Sequence, residues 1–256
     1  MATKKPNDVA VAAASAVSAF SQEVPDYIKQ GTARGSEEVT SNDLTIPRLE
    51  IVQAQSTIKD EQDGVVDGHL YNSVTREILG DCAYFVPVYF RTEFLVWKDQ
   101  DKGGGFFGSF PTMTEAKARV DEAVGEGEDE DDLEIVDTPV HFGLLVTPVG
   151  SRCEQIVVSM AKSKAKVSRK WNSMIQIVGG DRFSRVYKLT TFKDENNNGQ
   201  KFHNFVVQPA GFTPEPVYRK AEELYEVFRT TDVRAAHESV VDNGGDAAPA
   251  TERGGI

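Results

Sequence analysis

The sequence predicts an α+β domain that is mainly β. Short runs of β-branched and aromatic residues recur between Arg48 and Val207, and Gly-, Asn- and Asp-containing turns separate them. Long helical periodicity is confined to two places, Ser159–Ile177 and Val217–Ala236. At 256 residues and 39% hydrophobic content, the chain can build a real core in one large domain or two small ones.

Residues 1–42 are rich in Ala, Ser, Lys and Glu and read as a flexible N-terminal arm, with a fraying helix over Val9–Phe20. The folded domain is expected over 43–212. Arg48–Ala54 reads as its first strand, with Pro47 suited to a strand start or an edge. Asp60–Gly68 is a polar loop, and His69–Gly80 holds two short strands around a turn at Asn72-Ser73. Cys82–Lys98 is the richest strand segment. Alternation puts Phe85, Tyr89, Leu95 and Trp97 on one side and Tyr84, Phe90, Phe94 and Val96 on the other, with a bulge or edge at Pro87.

Asp99–Gly105 is a glycine-rich tip, and Phe106–Phe110 returns from it as the second arm of a long hairpin. Thr112 and Glu115 form a capping box for a short helix bearing Met113, Ala116, Val120 and Ala123 on one face. An acidic insertion occupies 125–134. Strands then resume at Val140–Pro148 and Glu154–Ser159. After the basic helix, Phe183–Phe192 and Lys201–Val207 form a hairpin around Asp194–Gly199. A C-terminal helix spans 213–238, and 239–256 reads as a disordered tail. Short sequential connections favour an antiparallel sheet. The arrangement expected is an OB-like antiparallel β-barrel with an inserted basic helix and a C-terminal helix.

Charge is segregated. The whole chain carries −12, yet Thr138–Lys220 holds thirteen Lys and Arg against five Asp and Glu, a local +8 that leaves −20 elsewhere. Such a chain stays soluble while one surface attracts a polyanion, most simply nucleic acid. The basic helix supplies Lys162, Lys164, Lys166, Arg169 and Lys170, while Val167, Trp171, Met174, Ile175 and Val178 form its apolar stripe. Trp171 therefore belongs to the core. Arg91, Lys98 and Lys102 extend the cationic track as phosphate contacts, and Tyr89, Phe106 and Phe107 are the candidates for stacking on bases.

Enzyme signatures are poor. Gly103-Gly-Gly-Phe-Phe-Gly lacks the ending of a P-loop, and there is no Gly-x-Ser-x-Gly elbow. His69, His141, His203 and His237 stand singly, without metal-ligand spacing, so neither metal nor cofactor is expected. The Glu126–Glu134 run lacks the pattern of a calcium loop. Cys82 and Cys153 lie far apart, which suits buried thiols in a reducing compartment, with a single disulfide as the alternative. No secretory signal or transmembrane-length run is evident, and a cytosolic location is expected.

Ile46-Pro-Arg-Leu-Glu-Ile-Val-Gln, Leu70-Tyr-Asn-Ser-Val-Thr-Arg-Glu-Ile-Leu-Gly, Phe85-Val-Pro-Val-Tyr-Phe, Trp97 and Gly103-Gly-Gly-Phe resemble a group of tailed-bacteriophage early proteins. The likeness covers roughly 44–212. That group is associated with single-stranded-DNA binding in phage replication and recombination. The resemblance implies an OB-type barrel, no catalysis, and replication or recombination proteins as further partners. Members often end in an acidic tail closed by an aromatic residue, whereas here the dense acidic block is internal, at Glu126–Glu134. That block is expected to compete with DNA for the basic face.

The functional expectation is thus a non-enzymatic, sequence-independent single-stranded-DNA-binding protein, with a homo-oligomer compatible with the pattern. One alternative is a virion structural or assembly protein. Another is a nuclease or recombination enzyme, for which Asp81, Asp99 and Asp101 are the nearest carboxylates.

Overall fold

The computed structural model describes Glu38 and residues 46–148, 152–195 and 199–230. The arm and the tail expected at the two ends, and the continuation of the C-terminal helix beyond Thr230, lie outside the described residues.

A small antiparallel sheet comes first, with β1 (Leu49–Ile51), β2 (Leu70–Asn72) and β3 (Ile78–Gly80). A one-turn helix, α1 (Ile58–Glu61), sits between β1 and β2. The Asn72 side chain makes the turn after β2, accepting hydrogen bonds from the backbone of Val74 and Thr75. β4 (Cys82–Lys98) then runs for 17 residues, followed by β5 (Gly105–Phe110) and the helix α2 (Met113–Gly125). The Thr112 hydroxyl accepts from the Glu115 amide, as the capping-box spacing predicts. The remaining elements are β6 (Leu133–Val146), β7 (Cys153–Ser159), α3 (Ala165–Val178), β8 (Arg185–Glu195), β9 (Lys201–Phe212) and α4 (Glu215–Thr230). No described helix is long and apolar enough to cross a membrane.

β4 is the spine of a second, antiparallel sheet ordered β7-β6-β4-β8-β9. One edge of β4 pairs with β6 from Tyr84 to Lys98. The other edge is shared, because β8 pairs with Cys82–Phe85 and β5 pairs with Phe94–Lys98. The fold is mainly β with the inserted and terminal helices in the expected places, but the sheets do not close into a barrel. The outer strands are occupied instead by the segment around β1. The Pro47 carbonyl accepts from the Val157 amide of β7 at 2.9 Å, beside an isolated parallel bridge from Arg48. Six residues on, the Gln53 side chain bonds both the amide and the carbonyl of His203 in β9, each at 2.8 Å. Edge groups satisfied in this way are not available for a β7–β9 ladder.

Alternation along the strands gives the large sheet two buried faces. On one, Phe85, Leu145, Ile156, Tyr187, Leu189 and Phe205 pack with Leu49, Ile51 and Leu70 and receive Trp171 and Ile175 from α3. On the other, Val86, Val88, Phe142, Leu144 and Phe183 receive Ala221, Leu224 and Phe228 from α4. The expected bulge is present, as a register shift between Pro87 and Tyr89. It adds one residue and inverts the alternation beyond it. Phe85 therefore faces Trp171 while Tyr89 faces α4, not the shared side the plain alternation predicts.

Gly143 lies opposite this bulge, paired with Pro87. A Cβ there would stand 2.2 Å from the Val86 carbonyl oxygen and 2.5 Å from the Phe85 ring. Neither can retreat without shifting the spine strand. Gly143→Ala should cost about 3 kcal/mol, the upper end for overpacking. The melting temperature should fall by roughly 6–12 °C, and a thermal melt of the variant checks this.

Candidate nucleic-acid interface

The cationic helix begins with a tight turn over Lys162–Lys164 and continues as α3. Gly179, in the left-handed region at φ 71°, ends it. Trp171 is wholly buried, edge-on to Phe85 and Tyr187 with centroids 5.5 Å away and stacked on His141 at 4.3 Å. Val167 and Met174 pack at the margin of that core. Val178 is exposed instead of completing the apolar stripe, because the helix ends there. With this face committed inward, helical spacing carries Lys166, Arg169 and Lys170 outward, and all three are exposed. No carboxylate among the described residues pairs with them, and Ser159–Gly180 contains no Asp or Glu. Cations at a helix start oppose the macrodipole, which favours acids there. Helix stability does not account for them. Their charge adds to the positive end of the helix, and the sum is a site that attracts anions.

A buried polar network pins the underside. Arg182 Nη2 donates to His141 Nδ1 at 2.8 Å and to Asn172 Oδ1 at 2.7 Å. Because Arg can only donate, Nδ1 is the unprotonated nitrogen and Nε2–H donates to the Ser168 hydroxyl, 2.8 Å away. The Arg182 guanidinium also lies over the Phe90 ring, 5.2 Å from its centroid. Burial, with the Arg182 charge added, holds His141 well below its ordinary pKa, so it is neutral. Burial likewise pulls Arg182 down to about 10, which leaves it charged at neutral pH. Sequence reasoning missed this network. Its members are spread over β6, α3 and the turn before β8, and only His141 stood out by type.

The rest of the expected track is neutralised within the chain. Arg91 lies over Phe142 and pairs with the buried Glu93 at 2.6 Å. Glu128 hydrogen-bonds Lys98 and thereby holds its ammonium above the ordinary range. Lys102 pairs with Asp132 at 3.5 Å and Lys162 with Glu134 at 3.1 Å. Lys164 is half-buried in the turn before α3. Three partners of the track thus come from the acidic segment, which the chain folds as the end of α2, a short turn over Glu130–Asp132 and the start of β6.

The expected stacking rings are engaged as well. Tyr89 packs among Phe142, Tyr225 and Phe228 beneath α4. Phe106 lies 4.6 Å from Trp97, its cross-strand neighbour, and Phe107 lies under Arg119 of α2. None of the three is exposed. Of the carboxylates weighed for a nuclease, Asp99 and Asp101 share the tip after β4, where the Asp101 amide donates to Asp99 Oδ1 at 3.0 Å, but Asp81 is not brought to them. Asp81 precedes β4, where it pairs with His69 at 3.4 Å, and Asp99 follows β4. The 17 residues of β4 separate Asp81 from Asp99 by about 56 Å, at roughly 3.3 Å per residue.

The buried imidazole makes stability depend on pH in a definite direction. An unfolded His141 takes a proton near its ordinary 6.5, whereas the folded one resists it. Stability is therefore retained above that value and lost as pH falls below it, by at most about 1.4 kcal/mol per pH unit. In denaturant unfolding at pH 7, 6 and 5, wild type should lose stability faster than His141→Gln. Parallel losses would assign the pH dependence to other groups.

No curated protein and no solved structure matches the chain at a meaningful level. Residues 14–234 match the model of a family described as Pam3 phage gp34-like protein. The match takes in every described element of both sheets together with α3 and α4, and the chain belongs to that phage family.

Proposed function

We propose that this phage protein binds single-stranded DNA without sequence preference during phage DNA replication or recombination, as a binder and not as a catalyst. The observation that carries the reading is the outer face of α3, where Lys166, Arg169 and Lys170 stand exposed without a described carboxylate partner on a helix free of acids. Phosphates lie on these three, with Lys162 and Lys164 at the helix start. The −20 carried outside Thr138–Lys220 repels the same ligand and restricts it to this face.

Lys98, Lys102 and Lys162 join the track by exchange. Each now holds a carboxylate of the acidic segment in a partly exposed pair. Such pairs, screened by solvent, contribute little to stability, which leaves them replaceable by a phosphate. The segment then acts as an internal competitor, strongest at low salt where such attractions are least screened.

Two titrations with labelled oligo-dT over a range of salt test the reading. Changing Lys166, Arg169 and Lys170 together to Ala should weaken binding and reduce the slope of log affinity against log salt by about 2, at roughly 0.7 per phosphate. Conversely, Glu128→Gln, Asp132→Asn and Glu134→Gln combined should tighten binding at low salt, and the gain should shrink as salt rises. A wild-type chain that fails to bind the oligomer even at low salt ends the DNA reading and leaves an assembly role as the alternative.

A further inference from the structure

We infer that Arg185 and Phe212 form a platform on which a nucleobase stacks, with the buried Arg182 adding positive charge from beneath α3. The inference rests on the nucleic-acid reading of α3 and adds to it the base-contacting element that Tyr89, Phe106 and Phe107 do not provide.

β8 and β9 pair Arg185 directly with Phe212, which puts both side chains on one face. Alternation along β8 makes it the face of Tyr187 and Leu189, the one that α3 covers. The Arg185 guanidinium lies 4.5 Å from the Phe212 centroid, yet the Phe212 residue stays 73% exposed. The cation covers only part of the ring and leaves the remainder open. The strand end that carries the ring is also held in place. The Thr213 amide donates to the Ser184 carbonyl at 3.0 Å, and its hydroxyl donates to the Phe183 carbonyl at 2.7 Å. An aromatic side chain kept out of the core on a tethered strand end is suited to contact something flat.

The cations beside it lack an acid. Nε of Arg182 and Nε of Arg185 are both buried without a hydrogen-bond acceptor, and neither guanidinium has a carboxylate partner among the described residues. Nearby acids are engaged elsewhere, Asp181 by the Tyr218 hydroxyl and Glu215 by Arg219 at 3.8 Å. Burial raises the Tyr187 phenol, and the charges of Arg185 and Arg182 oppose that shift. The site adjoins the α3 stripe, since Arg182 bonds Asn172, which lies one turn beyond Arg169 on the helix. A flat ring face next to an anion is what a nucleotide presents, and an aromatic paired with guanidinium is its complement. The sequence hid this site because Phe212 follows Gly211 and precedes Pro214, where the strand reads as already ended.

The test compares binding of a labelled oligo-dT with an abasic oligomer of equal length and charge, using the full chain. Thermal melts accompany it to verify that each variant folds. Phe212→Ala should weaken oligo-dT binding about 5- to 160-fold, the loss of one stacked base. Its salt slope and its binding of the abasic oligomer should stay as in wild type. Arg185→Ala should weaken both oligomers. The platform is overturned if Phe212→Ala binds oligo-dT like wild type, or loses both oligomers equally. In either case the α3 reading stands so long as the Lys166, Arg169 and Lys170 triple variant still loses affinity. If wild type binds neither oligomer, both readings fall together.

Discussion

The roll of α3 about its axis is set by a single buried contact, the stack of Trp171 on His141, and most of what the surface presents follows from it. Trp171 supplies the apolar area, which is large for one residue and only weakly directional. Direction comes from the polar atoms around the imidazole. Nδ1 takes the Arg182 proton donor and Nε2 gives its own to Ser168, so β6, α3 and the turn before β8 are locked in one orientation. Rotation by one residue, about 100° for a helix, would leave a buried guanidinium and imidazole without partners. The same rotation would carry Lys166 and Lys170 toward the core.

Arg182 gives this lock a second consequence. Its partners are neutral, so its charge is not cancelled where it lies. A desolvated positive charge beneath α3 adds to the exposed cations above and to the positive end of the helix. The face is thus cationic through its depth as well as on its surface. The acidic segment answers at one end only, meeting Lys98, Lys102 and Lys162 and leaving the middle of α3 uncovered.

The small sheet plays an architectural part that an alternating pattern does not announce. The segment around β1 holds β7 through Pro47 and β9 through Gln53, and so occupies both edges of the large sheet. It keeps the molecule mainly β and antiparallel without a closed ladder. Arg48, almost wholly buried and paired with Glu50 at 2.9 Å, lies at this junction.

Local chemistry alone determined a good deal. Helical spacing assigned Trp171 to the core and Lys166, Arg169 and Lys170 to solvent, because both follow from one period. Thr112 capped its helix, Asp99–Gly105 turned its hairpin, and Pro87 marked a bulge, since each depends on neighbours within a few residues. Tertiary structure decided whatever depended on partners distant in sequence. The bulge could be foreseen, but its inversion of Tyr89 toward α4 required the β6 register. The ion pairs of Arg91, Lys98, Lys102 and Lys162 required the acidic residues to be brought against them. Phe212 became an open ring only when β9 ran on to pair it with Arg185. A residue's type and spacing set what it can bind, and the distant groups that fold against it set whether that capacity is still available.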